Sequence, residues 1–385
     1  MIYLDHAATT PIRDEVRAEM AGALCEFFGN PSSTHAAGRA ARSLVDLARD
    51  RVAEALHCRP REVVFTGGGS EADNLALRGP LSRLREERGH LVVSQVEHEA
   101  VLETARDLRR DGWELTELEV DSRGMVDPER LRDALRPDTR LVSVMLANNE
   151  VGTVEPVREL VEVVRARSQA LFHTDATQAL GKLPTDVQEL GVDLLTISAH
   201  KVGGPKGVGA LFVRHGVALD PVITGGGQER NRRSGTENVP GIVGLGLAAH
   251  LAESEREVEA ARQRELASHL EALLLELIPD ARPTGAQGKG RLPNFCTLAI
   301  PGAEGELLLM RLDRAGVCAS AGSACASGSQ APSHVLLAMG LPPVLAGAHL
   351  RLTLGRGTTR AEVEEAAEIV GREVERLRAV APAPA

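Results

Sequence analysis

Aromatic side chains are scarce in this chain, which holds one Trp, one Tyr and six Phe. No arginine cluster is interleaved with stacking aromatics, and the net charge is −10, from 44 basic and 54 acidic residues. Neither nucleic acid nor an anionic membrane is therefore expected as a partner of the surface as a whole. No apolar run approaches the roughly 20 residues that cross a bilayer. The opening Met1-Ile-Tyr-Leu-Asp5 lacks the basic start and apolar core of a signal peptide, so a cytoplasmic location is expected.

The five cysteines, Cys25, Cys58, Cys296, Cys318 and Cys325, are odd in number and include no C-x-x-C pair. A disulfide framework and a structural zinc site are both disfavoured. His98-Glu99 lacks the second histidine of H-E-x-x-H, and no G-x-x-x-x-G-K-[ST] loop occurs, which removes metalloprotease and P-loop ATPase chemistry.

What is present is a 385-residue soluble composition, 43% hydrophobic, with enough apolar content for a large core. Strand-like runs alternate with helical patterns through the first two-thirds. Glu62–Thr66 precedes a helix over Ser70–Leu77, His90–Ser94 precedes one over Glu97–Arg109, and Arg140–Leu146 precedes one over Val157–Arg167. Leu171–Asp175 and Asp193–Ser198 follow. This alternation predicts an α/β fold with a mostly parallel central sheet sandwiched by helices, in which ligands gather at the carboxyl ends of the strands. Beyond about residue 238 the texture changes to a long helix over Ala248–Leu277, short strands at Leu292–Ile300 and Leu350–Leu354, and a last helix over Arg360–Val380. A smaller α+β domain is expected there, joined through a helix rather than a flexible tether.

The strand ends carry the chemistry. Thr66-Gly-Gly-Gly-Ser-Glu71 joins a strand to a helix, so its glycines permit close backbone approach and its amides can cradle a phosphate; an ordinary tight turn is the alternative. His98 can lie flat on a ring in a chain so poor in aromatics, or be a partly buried structural residue. Asp175 can keep a pyridine nitrogen protonated and Gln178 can reach a ring oxygen, although a strand-end aspartate is more often a helix cap. Ser198 could bind phosphate or cap. Lys201 ends Leu195-Thr-Ile-Ser-Ala-His-Lys201, where desolvation would favour an imine with an aldehyde cofactor. Cys325 lies in the small-residue stretch Ser320-Ala-Gly-Ser-Ala-Cys325-Ala-Ser-Gly328, which offers a thiol little steric protection. Cys25, Cys58 and Cys296 sit in apolar contexts and read as buried, inert thiols. These residues in this order on one sheet predict cofactor-assisted sulfur chemistry.

At this point the chain resembles the cysteine desulfurases of the NifS and IscS type, within the class V, fold-type I pyridoxal-phosphate enzymes. The resemblance runs from Tyr3-Leu-Asp-His-Ala-Ala-Thr-Thr-Pro11 through Leu146-Ala-Asn-Asn-Glu150, His173-Thr-Asp-Ala-Thr-Gln178, Ser198-Ala-His-Lys201 and Arg233-Ser-Gly-Thr-Glu-Asn238 to Gly322-Ser-Ala-Cys325. It implies that Lys201 carries pyridoxal 5'-phosphate, that Asp175 and Gln178 address the ring nitrogen and hydroxyl, and that His98 stacks on the ring. Gly69, Ser70, Ser198 and His200 would hold the phosphate, with Thr236 supplied by the other subunit of a homodimer. Asn149 and Arg351 would grip the carboxylate of L-cysteine. Cys325 would take its sulfur as a persulfide, leave L-alanine, and pass the sulfur to an acceptor protein, an iron–sulfur scaffold or a tRNA-thiolation protein. Lys206 reads as a structural hairpin lysine. The resemblance also implies a large domain over residues 15–255 and a small one over 1–14 and 256–385. The early end of the chain after Arg360 leaves a scaffold-docking extension in doubt. Two other readings remain: a class V aminotransferase or selenocysteine lyase in which Cys325 is dispensable or selective for selenium, and a sulfur-carrier platform without turnover.

Overall fold

The computed structural model describes residues 1–84, 86–322 and 332–380. Cys325 lies outside the described residues.

Seven strands form the main sheet in the spatial order Val63–Thr66, Gly209–Val213, Leu194–Ser198, Leu171–Asp175, Thr139–Ser143, His90–Ser94 and Glu114–Leu118. Gly209–Val213 runs antiparallel to both of its neighbours, and the other adjacent pairs are parallel. The central strands read as continuous apolar runs because both faces are covered: every residue of Val63–Thr66, His90–Ser94, Leu194–Ser198 and Gly209–Val213 is buried. On one face pack helices Ala36–Ala55 and Val157–Arg167 with the start of the long helix Val239–Leu277. On the other pack Gly69–Ser82 and Glu99–Arg110.

A second core gathers the later half of the long helix, strands Phe295–Ala299 and His349–Thr353, and helices Gly305–Arg314 and Arg360–Val380, with Ile2 and Leu4 from the N-terminus. The long helix serves both cores. Val239, Ile242, Val243 and Leu245 are buried against the first, and Leu266, Leu270 and Leu274 against the second. This explains why its amphipathic pattern is blurred along its length: the buried face is not the same at the two ends.

Several expected bounds shift. The long helix begins at Val239, the helix expected over Ser70–Leu77 covers Gly69–Ser82, the one expected over Glu97–Arg109 covers Glu99–Arg110, and the late strands are Phe295–Ala299 and His349–Thr353. Glu62 belongs to a 3-10 turn, Pro60–Glu62, where its carboxylate accepts from the Arg59 amide at 2.8 Å. The sequence reading passed over strands Glu114–Leu118 and Gly209–Val213 and helices Asp14–Glu26 and Ala36–Ala55. Glu114–Leu118 is an edge strand of mixed exposure with little apolar signal. Cys25 is exposed, contrary to the expectation of a buried thiol, because it sits near the end of helix Asp14–Glu26 whose buried residues are Val16 and Ala23. Cys296 is buried and Cys58 half-buried; burial pushes the Cys58 thiol up to about 12.

Candidate active site

Strands Val63–Thr66, His90–Ser94, Leu171–Asp175 and Leu194–Ser198 end on the same edge of the sheet, where a pocket of about 210 Å3 opens. Its wall contains Gly69, Ser70, His98, Asp175, Gln178, Ser198, His200, Lys201, Asn149 and Arg351. The sequence separated these residues by up to almost the whole chain. The parallel crossovers bring them together.

Gly68 has φ +145°, a conformation that L side chains rarely adopt, and no side chain caps the helix that begins at Gly69. Its first-turn N–H groups therefore have no side-chain cap, and Gly69 and Ser70 of that turn line the pocket. A Cβ on Gly69 would lie 3.2 Å from Thr177 Oγ1 and 3.5 Å from Ser198 Cβ, so side chains from two other strand ends close the same cradle. Gly209 lets this loop press on the sheet: a Cβ there would sit 2.7 Å from the Gly68 carbonyl carbon.

Asp175 accepts from the Thr177 amide at 2.8 Å through Oδ1, so it does cap the following turn while also lining the pocket. Gln178 Nε2 donates to Ala7 O at 2.9 Å, and its Oε1 has no partner among the described residues. Lys201, in the turn Ala199–Lys201 after strand Leu194–Ser198, donates from Nζ to Ala7 O at 2.6 Å and Ala8 O at 2.8 Å. His98 is the N-cap of helix Glu99–Arg110, its Nδ1 accepting from Ala100 N at 3.1 Å. Ser198 makes no capping bond. His200 pairs through Nδ1 with Thr9 Oγ1 at 3.2 Å; burial, then Lys201 and Lys206, pulls it down to about 4, so it is neutral at pH 7.

Arg351 projects from the second core. It is 1% exposed, donates to Asn149 O at 2.7 Å and meets Asp5 Oδ1 at 3.0 Å, and its Nε has no partner among the described residues. Thr236 is exposed and does not line this pocket. Lys206 is exposed in the turn before strand Gly209–Val213.

Asp73, Thr177, Ala7 and Ala8 also line the pocket and were not singled out from the sequence. Asp73 is 1% exposed one turn after Ser70, and burial followed by Asp175 raises its carboxyl well above the usual range. Its Oδ1 has no hydrogen-bond partner among the described residues and lies 3.7 Å from His173 Nε2. His173 Nδ1 pairs with Ser143 Oγ at 2.8 Å and Nε2 with Thr196 Oγ1 at 3.1 Å, and burial lowers His173 to about 3. The spacing of Ser70 and Asp73 on one helix face was the signal available for Asp73.

Residues 2–365 match the family model described as aminotransferase class-V. Cysteine desulfurase IscS of Dictyoglomus turgidum is 46% identical over 99% of this chain and 96% of its own length. A solved structure titled as a NifS-like protein is 36% identical, covers 97% of this chain and 99% of its own, and superposes with a TM-score of 0.91. Another, of SspA in complex with cysteine, is 34% identical over 92% of this chain and 99% of its own, with a TM-score of 0.80. The chain belongs to the aminotransferase class-V family of pyridoxal-phosphate enzymes, in its NifS- and IscS-type cysteine desulfurase branch.

Proposed function

We propose that this chain is a pyridoxal-phosphate-dependent cysteine desulfurase that converts L-cysteine to L-alanine and passes the sulfur on through Cys325. The observation that carries the reading is the convergence of Lys201, Asp175, His98 and Arg351 on one pocket of about 210 Å3.

The residues fit the cofactor. The uncapped helix start at Gly69 suits a phosphate, with Ser70, Ser198 and His200 beside it. Three buried polar atoms without protein partners among the described residues, Gln178 Oε1, Thr177 Oγ1 and Asp73 Oδ1, are available to a polar ligand. Asp175 is the carboxylate for the ring nitrogen, Gln178 the partner of the ring hydroxyl and Lys201 the amine for the aldehyde. The bound ring supplies an electron sink for the charge left when the substrate loses its Cα proton.

The protein does the rest. Arg351 and Asn149 bind and orient the substrate carboxylate, a planar fork suited to a bidentate partner. Lys201 Nζ takes the Cα proton. His98, on the pocket wall, moves protons at the substrate sulfur and amine. His200, neutral at pH 7, holds its place as a hydrogen-bonding rather than a charged group. The Cys325 thiolate attacks the substrate sulfur, the carbon–sulfur bond breaks with its electron pair left on the carbon side, which takes up a proton to become L-alanine, and the sulfur remains on Cys325 as a persulfide for an acceptor. The acceptor is an iron–sulfur scaffold or a tRNA-thiolation protein.

Further parts of the reading are a homodimer in which Thr236 completes the partner's phosphate site, a cytoplasmic location, and the division into residues 15–255 and 1–14 with 256–385. Exposure of Thr236 away from its own chain's pocket supports the trans arrangement. No helix among the described residues is long and apolar enough to cross a membrane.

The test is to add L-cysteine and a reductant to the yellow purified protein and quantify alanine and sulfide together. Equal yields that depend on Cys325 are expected. Cofactor absorbance without both products would shift the reading to an aminotransferase or a selenocysteine lyase.

A further inference from the structure

Strands His90–Ser94 and Thr139–Ser143 are parallel neighbours, and their register pairing ends with Val93 opposite Ser143. Two segments continue from there to the pocket wall, one to His98 and the other through Met145 and Ala147 to Asn149. The second segment bonds to the opposite neighbour: the amides of Val144 and Leu146 donate to His173 O at 3.2 Å and Asp175 O at 2.9 Å. Successive amides of an extended chain point to opposite sides, so Met145 N turns towards the His98 segment, where a buried amide needs an acceptor.

Glu97 supplies it. Its Oε1 accepts from Met145 N and from Ser94 Oγ, both at 2.7 Å. The return crossing comes from Asn148, whose Nδ2 donates to Val96 O at 2.9 Å while its Oδ1 accepts from the amides of Glu150 and Val151 at 2.8 and 3.0 Å. Glu97 and Asn148 are fully buried and neither lines the pocket. Each side chain thus crosses from its own segment to the backbone of the other, and each immediately precedes a pocket residue, His98 in one case and Asn149 in the other. Burying a carboxyl and an amide is costly unless their hydrogen bonds are made, so the two segments are confined to the separation that makes them.

We propose that Glu97 and Asn148 are positioning residues that set His98 against the substrate-carboxylate grip of Asn149 and Arg351. Arg351 fixes Asn149 independently by donating to its carbonyl at 2.7 Å, so the His98 segment is the one that loosens when the clasp is cut. Bonds outside the clasp keep that segment folded: His334 Nε2 donates to Glu97 O at 3.1 Å and Gln95 N to Leu118 O at 3.0 Å. The inference rests on the reading of His98 as the group that moves protons at the substrate.

Glu97→Leu removes the acceptor and leaves an apolar side chain in its place. In the cofactor-loaded full chain it should lower kcat for L-cysteine about tenfold or more, with KM within about twofold, because misplacing a proton-transferring group slows the chemical step. Glu97→Gln keeps an acceptor at the same place. Burial raises the Glu97 carboxyl well above the usual range, so glutamine also matches its neutral form, and kcat should stay within about twofold of wild type. In a His98→Gln background, Glu97→Leu should cost less than about twofold, since an effect exerted through His98 disappears with it. Wild-type kcat in a folded Glu97→Leu protein, or a loss undiminished in the His98→Gln background, would overturn the proposal.

Histidine-selective carbon-13 labelling reads the same joint without turnover or cofactor. The His98 ring signal, identified by its loss in His98→Gln, should be single in the wild type and in Glu97→Gln and broadened or split in Glu97→Leu; a single, unshifted signal there refutes the clasp. If Glu97→Leu does not fold, Asn148→Asp takes its place, retaining the Oδ1 acceptor for Glu150 and Val151 and losing the donation to Val96 O, and the same two readouts apply. Full kcat in His98→Gln would remove the reading of His98 itself, and the ring signal would still decide the clasp.

Discussion

Arg351, on the wall of the pocket of about 210 Å3, meets Asp5 Oδ1 at 3.0 Å and donates to Asn149 O at 2.7 Å, tying the strand of the second core to the loop that follows Thr139–Ser143 in the main sheet. The guanidinium is almost fully buried, and its Nε has no partner among the described residues. A buried guanidinium with an unfilled donor, held in orientation by one carboxylate, is prepared for a second one.

Replacing Arg351 with Lys keeps the charge and loses the fork. Hydrogen bonds to charged groups are worth about 1.5–3 kcal/mol, so kcat/KM for L-cysteine should fall roughly 10- to 150-fold, mostly through KM. Cofactor absorbance should stay. Steady-state kinetics of sulfide release check this, and an unchanged KM would remove Arg351 from the substrate site.

Lys201→Ala should lose the absorbance of covalently held pyridoxal phosphate and all turnover. The same substitution deletes the bonds to Ala7 O and Ala8 O, so unfolding should also ease by about 1–3 kcal/mol, measurable by denaturant titration.

Cys325→Ser should behave oppositely, with cofactor absorbance intact and sulfide release abolished. Sustained sulfide production by this variant would refute the role of the thiol and favour the lyase reading.

A buried ion pair away from the pocket also sets a testable stability effect. Arg49 donates to Glu229 at 2.9 and 2.6 Å, and Glu229 also accepts from Phe65 N at 3.0 Å. Glu229, Arg230 and Asn231 all have positive φ, at 47°, 58° and 64°, in the segment leading to Thr236. Such backbone persists only where its surroundings over-determine it. Arg49→Ala leaves a buried carboxylate unpaired and should cost about 3–5 kcal/mol in urea unfolding.

The acid side of the stability curve should carry a His173 signature. His173 is lowered from 6.5 to about 3 because it is buried and neutral between Ser143 and Thr196. The unfolded chain binds a proton that the folded one refuses, so the contribution is complete above pH 6.5 and fades as the pH falls towards 3. Each such proton is worth about 1.4 kcal/mol per pH unit within that window. His173→Gln should flatten the loss of stability between pH 6.5 and 5 by up to that slope; an unchanged slope would show that His173 takes up its proton in the folded state.

Much of the site is legible in the sequence because local rules place it. A strand followed by a turn puts Asp175 and Lys201 at strand ends, and Gly68 opens a helix with a φ of +145° that L side chains rarely adopt. Strands His90–Ser94 and Leu171–Asp175 and helix Val157–Arg167 match their expected bounds because apolar runs end in abrupt polar or glycine signals. Strand Glu114–Leu118 escapes notice because an edge strand with one wet face carries only a weak pattern.

The sequence by itself determined the class of fold, several of its strands and helices, and the residue types for an aldehyde cofactor and a nucleophilic thiol, because each depends on neighbours a few positions apart. Only the tertiary structure decided that Arg351 reaches Asn149 from one core to the other and pairs with Asp5, that Asp73 is buried on the same pocket wall as Asp175, and that Lys182 shares a cavity wall with Lys201. Those relationships depend on distance and desolvation between segments far apart in the chain, and no local pattern encodes either.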